Sequence, residues 1–394
     1  QRQMCIRDRI CFMRFGSGHL YSSNSCYVGT RYGWTCFRNE KSMIFMRIFI
    51  LPLLLFAVLF FCSCSRRAGG DNVRDMVSSV SQNADSTNRI VTEEPEHRLL
   101  ETKVKDIIPE SIRIEKAFLY DRHTLPDSYP YKDTVRMFQW YKIRKALALL
   151  DSAQRHTVSW GVLQNYRNRN GESPLVRNYK RNAYRRIADT LGVERFQSVP
   201  LYLSGDSVPE IYGRDGTLVE LLDADSLYTG VRALYFGGKW KVPRKYVKSL
   251  ADSLVFTKVI FVDVVNQNIV TLEKVDSVWM VRSMNPVTTG RHQPPYMQET
   301  PPGIFVIQEK KKKMIFLKDG KDEHGGFAPY ASRFTNGGYI HGIPVNEPDT
   351  IIREYSPSLG TTPRSHMCVR NATSHAQFIY DWVSVGKTLV FVLD

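Results

Sequence analysis

Cysteine is scarce beyond the first 64 residues of this 394-residue chain, and the scarcity limits its chemistry. Six of the seven cysteines lie at or before position 64, and the seventh is Cys368. A lone thiol has no disulfide partner in its own part of the chain, which excludes a disulfide framework there. The zinc spacings Cys-x-x-Cys and His-Glu-x-x-His are also missing. Cys368 is therefore a nucleophile, an irregular metal ligand or a core residue.

Acidic residues are also in deficit. The chain has 54 Lys and Arg against 39 Asp and Glu, a formal net charge of +15, and the basic excess continues after residue 64. Such a surface favours polyanions such as lipid headgroups or a cell wall. The basic and aromatic stretch from Asn165 to Arg186 has the composition of a nucleic-acid patch, but we interpret it as a solvated helix surface. We expect no nucleic-acid partner.

Long apolar runs are missing except between Met43 and Phe61. This run is short for a membrane span and has a basic start, so it predicts a signal peptide over 43–63. It leads into Phe61-Cys-Ser-Cys64, which resembles a bacterial lipobox with Cys64 as the acylated residue; an uncleaved anchor is the alternative. Both interpretations place the rest of the chain on the periplasmic side of a bacterial membrane. If the chain is a lipoprotein, we expect the outer membrane. We interpret residues 1–42 as translated upstream sequence, with Met43 or Met46 as initiator.

Composition divides the exported part into four segments. Residues 64–97 are polar and predict a flexible tether. Residues 98–205 predict a mostly helical region from the spacing of five apolar positions, Val135, Phe138, Tyr141, Leu147 and Leu150. Residues 206–250 predict a small SH3-like β-barrel, and residues 251–394 predict an all-β domain. In that domain the lysine-rich run Glu309 to Lys313 is expected at a solvated hairpin tip.

Five short motifs in this last segment occur together. They are Asn266-Gln-Asn-Ile-Val, Val287-Thr-Thr-Gly290, Thr300-Pro-Pro-Gly-Ile-Phe305, Ile340-His-Gly342 and Ser365-His-Met-Cys-Val-Arg370. Their order and approximate spacing resemble the catalytic domain of YkuD-type L,D-transpeptidases. The resemblance implies an all-β fold over residues 251–394 and a cysteine nucleophile that acts on peptidoglycan stem peptides.

The resemblance also implies roles for particular residues. Cys368 would be the nucleophile and His341 the general base and acid, since an imidazole raises the thiolate fraction of a neighbouring thiol. Ser365, His366, Met367 and Gly342 would support the site and its oxyanion hole. In a strand, His366 and Cys368 would share a face. Arg370 would hold a substrate carboxylate, with a structural salt bridge as the alternative.

Two features depart from the family pattern. Met367 stands where the family usually has glycine, and methionine adopts positive φ only at a cost. If the turn needs that conformation, the oxyanion hole would be distorted. The spacer between His341 and Ser365 is also longer than usual. We expect its extra segment, Val345 to Gly360, to lie over the cleft as a lid.

The sequence therefore predicts an L,D-transpeptidase that forms 3–3 crosslinks through a thioester. Water as acceptor would make it an L,D-carboxypeptidase, and a protein amine would make it a wall-attachment enzyme. Competing interpretations are a catalytically weak wall-binding lipoprotein, a buried structural cysteine, and a zinc site formed by His341, His366 and Cys368 with His375 or Glu354. The leading interpretation needs no cofactor and no metal, and a monomer with a lipid anchor is expected.

Overall fold

The computed structural model describes residues 107–157 and 159–394. The expected upstream segment 1–42, the signal peptide 43–63, Cys64 and the tether 64–97 lie outside the described residues. The helices within them are α1 (Trp140–His156) and α2 (Thr373–Trp382). The strands are β1 (Arg113–Lys116), β2 (Ser128–Tyr131), β3 (Thr134–Met137), β4 (Trp160–Leu163), β5 (Lys180–Arg181), β6 (Ile187–Ala188), β7 (Ser198–Leu201), β8 (Ile211–Arg214), β9 (Leu218–Ala224), β10 (Tyr228–Ala233), β11 (Lys239–Pro243), β12 (Val247–Ser249), β13 (Lys258–Asp263), β14 (Asn268–Val275), β15 (Val278–Pro286), β16 (Gly303–Val306), β17 (Glu309–Leu317), β18 (His324–Thr335), β19 (Gly338–His341), β20 (Val345–Asn346), β21 (Val369–Arg370) and β22 (Thr388–Leu393).

A six-stranded sheet in the order β1-β15-β14-β13-β22-β16 organises the C-terminal half. Its central strand β13 is buried on both faces, because successive side chains point in opposite directions. Val259 and Phe261 pack into one core together with α1. Ile260 and Val262 pack into a second core with α2 and a further sheet. The six-stranded sheet is therefore the middle layer between two hydrophobic cores.

The further sheet, called here the site sheet, has the order β17-β18-β19-β21, with β20 paired to β18. Its inner face contributes Phe334, Ile340 and Val369 to the second core. The lysine-rich run Glu309 to Lys313 lies within β17, paired along β18, so the predicted hairpin tip is wrong. The lysines are accommodated because their long stems cover aromatic rings, as Lys313 does over Phe327.

The expected helical region 98–205 is wrong. Among its described residues, α1 is the one α-helix, and the remaining elements are β1 to β7 and short turns. Leu147 and Leu150 do lie on the buried face of α1, but Val135 belongs to β3 and is 63% exposed. Helix propensity is a weak signal that tertiary pairing overrides. Here β1 pairs in parallel with β15 and becomes an edge of the six-stranded sheet.

A five-stranded sheet has the order β11-β10-β9-β4-β12. Its strands come before most strands of the six-stranded sheet in the sequence. Four of its strands lie within residues 206–250, and β4 comes from residues 160–163. The SH3-like assignment and the domain boundaries stay predictions. The C-terminal segment is β-rich as expected, with the ten-residue helix α2 inserted before its last strand. Among the described residues, no helix is both long and apolar enough to cross a bilayer.

Candidate active site

The turn that carries Cys368 is held by two of the other sequence motifs. The backbone amides of Arg364 and Ser365 donate to Thr289 O at 2.9 and 3.0 Å. The Thr300 hydroxyl donates to Met367 O at 2.7 Å and accepts from the amide of Gly290 at 2.8 Å. Gly290 has no room for a side chain, because a Cβ there would stand 2.3 Å from Gln298 O. Motifs far apart in sequence therefore meet at the nucleophile turn.

Met367 has a φ of +97°, in the region that favours glycine. The turn keeps this conformation although the residue is methionine. The Ser365 hydroxyl donates to Cys368 O and closes the turn on the other side. Since the C=O and N–H of a trans peptide point in opposite directions, the bond from Thr300 to Met367 O directs the Cys368 amide away from Thr300. Met367 therefore adopts a backbone conformation that glycine would adopt without strain.

The thiol and the histidine lie on one face of the site sheet. Strands β19 and β21 pair in parallel, with Ile340 opposite Val369 and His341 opposite Arg370. Paired residues share a face, and so do residues two apart on a strand. Cys368, immediately before β21, therefore lies level with Tyr339 and diagonal to His341. The sheet register brings the predicted base and nucleophile together with Arg370.

His341 is a buried, neutral imidazole. Burial lowers its pKa to about 4, and the nearby Arg370 cation acts in the same direction. Its Nδ1 lies 2.6 Å from Gly342 O, which only accepts, so in the neutral ring Nδ1 carries the proton. Nε2 is then the unprotonated nitrogen. His341 thus has the protonation state and tautomer of a base.

Gly342 supports this arrangement sterically. A Cβ on it would stand 2.9 Å from the Thr373 hydroxyl at the start of α2 and equally close to Pro329. The absence of a Cβ at Gly342 lets the chain at the end of β19 pass directly beneath the helix. Gly342 therefore acts through its carbonyl on His341 and through its small size, and its expected contribution to the oxyanion hole stays a prediction.

The surroundings of Cys368 favour the protonated thiol. Burial raises the pKa of the thiol, while a backbone hydrogen bond from Tyr339 and the Arg370 cation act against that rise. The Sγ atom lies 3.4 Å from Gly337 O, to which the thiol donates. The two pKa shifts favour a neutral thiol beside a neutral imidazole over a preformed thiolate–imidazolium pair.

Arg370 is a cation next to the thiol whose hydrogen-bonding capacity is not fully used. Its backbone is fixed by reciprocal bonds with Thr288 at 2.9 and 3.0 Å. Its Nε is buried without a hydrogen-bond partner among the described residues, and burial lowers the pKa of the guanidinium. No described acidic residue forms an ion pair with it, so the structural salt bridge considered as the alternative is not formed within residues 107–157 and 159–394. A half-buried guanidinium with an unpartnered Nε is suited to an incoming carboxylate.

His366 does not lie where the sequence interpretation put it. It occupies a bend instead of a strand, and its Nε2 lies 2.8 Å from Asp319 in a largely exposed pair. The positive φ at Met367 turns the chain between His366 and Cys368, so their side chains do not follow the alternation of a strand. The expectation that His366 shares a face with Cys368 and orients His341 is a misreading of this turn.

A buried polar network behind the site was missed from the sequence. Asn371 donates its backbone amide to His341 O and its side-chain amide to Val369 O. Its carbonyl oxygen accepts from Nδ1 of His375, and Nε2 of His375 lies 2.9 Å from Ser283. Burial lowers the pKa of His375 to about 3. The network joins the strands of both catalytic candidates to α2, and no spacing in the sequence signalled it.

The segment Val345 to Gly360 is fixed to the domain at several points. Its start forms β20, and Gly360 donates to Val287 O at 2.8 Å. In the middle, Glu354 contacts His123 and the first turn of α2. None of the hydrogen bonds formed by the described residues joins this segment to Cys368 or His341. Gating of the cleft by this segment stays a prediction.

Three of the five zinc-ligand candidates have partners away from the thiol and the imidazole. His366 pairs with Asp319, His375 with Asn371 and Ser283, and Glu354 with the start of α2. Within the described residues, no three His, Cys, Asp or Glu side chains are grouped as a metal site would require. The site's geometry is that of a thiol, an imidazole and a guanidinium on one sheet face.

This β-rich domain with a thiol and imidazole on one strand pair has a recognisable class. Residues 257–392 match the family model of YkuD, the L,D-transpeptidase catalytic domain, so the resemblance noted in the motifs is confirmed over that segment. No curated protein matches the chain.

Among solved structures, the chain is similar to L,D-transpeptidase 3 from Mycobacterium tuberculosis in complex with a faropenem-derived adduct, at 18% identity and a TM-score of 0.30, covering 46% of this chain and 79% of that one. It is similar to an L,D-transpeptidase from Mycobacterium smegmatis at 18% identity and a TM-score of 0.28, covering 45% and 82%. A fused Zn-dependent amidase/peptidase/peptidoglycan-binding domain-containing protein from Clostridium acetobutylicum is similar at 18% identity and a TM-score of 0.26. The match covers 35% of this chain and 52% of that protein.

Proposed function

We propose that this protein is a cysteine-dependent L,D-transpeptidase that forms 3–3 crosslinks between peptidoglycan stem peptides. The supporting observation is the placement of Cys368 and neutral His341 on one face, inside the segment that matches the family model. Hydrolysis of the same intermediate would give an L,D-carboxypeptidase, and transfer to a protein amine would give wall attachment. Product analysis separates these outcomes.

The first half of the reaction forms a thioester. His341 Nε2 takes the proton of the Cys368 thiol as sulfur attacks the carbonyl between the donor's third residue and its terminal D-alanine. The negative oxygen that develops is stabilised by backbone amides of the turn, with the Cys368 N–H as the first candidate. When the C–N bond breaks, His341 returns its proton to the departing amine, and D-alanine leaves.

The second half regenerates the enzyme. An acceptor amine from another stem attacks the thioester carbonyl and transfers a proton to His341. The C–S bond breaks, the new amide forms the crosslink, and His341 returns the proton to the sulfur of Cys368. Arg370 neutralises a substrate carboxylate near the thiol. No cofactor is needed for this balance of atoms and protons.

Cys368→Ala tests the proposal directly. The change should abolish crosslinking while preserving the fold, because alanine removes the sulfur with little change in volume. The measurement is mass analysis of muropeptides made by purified protein, together with the mass of a carbapenem adduct, expected once per chain and at Cys368. His156→Gln, at the exposed end of α1, is the matched control. Crosslinks formed by Cys368→Ala protein would refute the mechanism.

We also propose that the chain is a lipoprotein anchored through Cys64 to the periplasmic side of a bacterial membrane, the outer one. The supporting observation is the apolar run before Phe61-Cys-Ser-Cys64 in the sequence. Cys64→Ser should move the protein from the membrane fraction to the soluble periplasmic fraction. Identical fractionation of wild type and variant would contradict the lipobox interpretation.

A further inference from the structure

A row of side chains crosses the site sheet and ends at the thiol. Glu309 on β17 is opposite Arg333 on β18, and Arg333 is opposite Tyr339 on β19. Tyr339 in turn lies level with Cys368, by the register of β19 and β21. Residues opposite one another on neighbouring strands share a face. The surface next to Cys368 therefore begins at Tyr339 and continues to Arg333.

The region before the catalytic domain covers this row with Tyr166. The Arg333 guanidinium stacks on the Tyr166 ring, 4.2 Å from its centroid. Burial, and next the Tyr166 side chain, raise the pKa of Tyr339. Asp215, in the same N-terminal region, accepts a 2.6 Å bond from Arg333. Since neighbouring strands are about 4.8 Å apart, Tyr166 lies on the order of 10 Å from the thiol.

Two arginines on the same turn extend from this position into solvent. The guanidinium carbons of Arg167 and Arg169 lie 5.2 and 5.7 Å from the centroid of the Tyr166 ring. Both residues are exposed, and in the described part of the chain neither forms an ion pair with an acidic residue. Arg333 differs, because Asp215 and Glu309 already neutralise it. Arg167 and Arg169 are the cations with free binding capacity here.

The fold holds this turn in an unfavourable conformation. Arg167 and Asn168 have φ values of 55° and 52°, which cost energy for residues other than glycine. The Gln197 side chain accepts from the Arg167 amide at 2.9 Å, and the Gln197 amide donates to the Asn168 side chain at 2.7 Å. The basic stretch interpreted from sequence as a helix surface is instead a braced turn beside the row that ends at the thiol.

We propose that Arg167 and Arg169 form a carboxylate-binding subsite for the stem peptide, which makes acidic, unamidated stems the preferred substrates. The proposal rests on the proposed function and adds a specificity determinant from outside the matched domain. The three residues that precede the scissile bond span roughly 10 Å when extended, which matches the distance from Cys368 to Tyr166, and the two guanidinium groups lie next to the Tyr166 ring. The planar guanidinium binds carboxylates through two parallel hydrogen bonds, which an amide cannot replace.

The test compares three synthetic tetrapeptide donors: one with all carboxylates free, one with the internal carboxylates amidated, and one with the terminal carboxylate amidated. Removing both guanidinium groups in Arg167→Ala/Arg169→Ala should raise KM for the free donor about tenfold, the effect of losing a charge-assisted hydrogen bond, with kcat little changed. Arg167→Lys/Arg169→Lys should recover part of the loss. Lys145→Ala/Arg155→Ala, two exposed cations of α1, is the charge-matched control.

The donors identify the carboxylate. The amidated donor for which wild type and variant give the same KM carries its amide at the recognised position. Equal loss for all three donors, or no loss for any, would overturn the subsite. If wild-type protein transfers none of the donors, the proposed function fails instead, and donor affinity for Cys368→Ala protein, measured by calorimetry with and without the two arginines, still decides the subsite. Unchanged alkylation of Cys368 in the arginine variants checks the fold.

Discussion

At Met367 the chain retains the backbone that glycine would adopt freely. The φ of +97° is stabilised by the Thr300 and Ser365 hydroxyls on either side, and the methionine side chain is 8% exposed. Strain at such a position costs about 1 kcal/mol or more, whereas burying a methionine contributes roughly 1.5–3 kcal/mol. The side chain's burial therefore offsets the strain. Methionine at position 367, where the family usually has glycine, therefore affects stability more than the geometry of the oxyanion hole.

Met367→Gly should consequently leave transpeptidation within about tenfold of wild type, or roughly 1.4 kcal/mol of barrier. Its melting temperature should change little or fall, since lost burial outweighs relieved strain. Met367→Ala separates the two effects, because it loses the side chain but keeps the strain, and it should be the less stable variant. Crosslinking rates and thermal unfolding are the measurements. A large gain of activity in Met367→Gly would mean that the natural protein is a weakened enzyme.

Single residues were predictable from the sequence where a local motif defined them. Cys368 and His341 were chosen as catalytic candidates because their motifs are short and their chemistry is restricted, and the strand register places them on one face; their catalytic roles stay predictions. The role of His366 was misjudged, because the alternation expected of a strand fails at a residue with positive φ. Tyr339 was missed, since its position beside the thiol depends on strand register, which no single motif encodes.

At the scale of elements, helix α2 depends on the long segment before the nucleophile. The N-cap residue of α2, Ala372, makes no side-chain capping bond. The segment supplies the cap instead: Glu354 O accepts from the Thr373 amide at 2.8 Å, and the Glu354 carboxylate accepts from the Ser374 amide at 3.0 Å. A carboxylate at a helix N-terminus also stabilises the helix dipole. The contacts of this segment therefore assign it a structural role.

Glu354→Ala should lower the free energy of unfolding by about 1 kcal/mol, the usual value of an N-cap. Although burial raises the pKa of this carboxyl, hydrogen bonds from Ser374 and His123 outweigh it and hold the pKa below its usual range. The contribution is therefore present above the ordinary pKa of a glutamate and disappears as the pH falls through the lowered value. Denaturant unfolding at neutral and acidic pH measures it, with Glu347→Ala as the control.

The rate of Cys368 alkylation in the same variants tests the lid. Faster alkylation in Glu354→Ala at neutral pH, without loss of global stability, would favour a gating segment over a cap.

The prediction of a mostly helical region over residues 98–205 was wrong because contacts distant in sequence determine its conformation. Local periodicity extended one real helix, α1, over neighbours whose conformation is set by distant partners, as β1 is by β15.

At the scale of the whole molecule, the regions on either side of residue 250 share cores and polar contacts. Leu147 and Leu150 of α1 lie in one core with strands of the six-stranded sheet. The Asp215 carboxylate, fully buried, bonds both Arg333 and Gln308. Such contacts between distant segments leave no periodic trace in the sequence. The catalytic domain was recognisable from its motifs, while its packing against the preceding region was not.

Two buried histidines make the free energy of unfolding of this protein depend on pH. His341 and His375 have pKa values lowered to about 4 and about 3, whereas an unfolded chain titrates near 6.5. Below about pH 6.5 the unfolded state binds protons that the folded state excludes, so the free energy of unfolding falls as the pH decreases. The loss continues until the folded pKa values are reached. At pH 4.5 it amounts to roughly 2–3 kcal/mol for each histidine, from about 1.4 kcal/mol per pH unit.

Thermal unfolding between pH 7 and pH 4.5 should therefore show a melting temperature that falls steeply for wild type. His375→Gln should be less stable at pH 7, because a glutamine fits the bonds to Asn371 and Ser283 less well, but should lose about half of the pH dependence. The exposed His156→Gln should keep the wild-type slope. If His375→Gln and wild type show the same slope over this range, protonation of buried imidazoles does not limit acid stability, and the neutral state assigned to His341 loses its thermodynamic support.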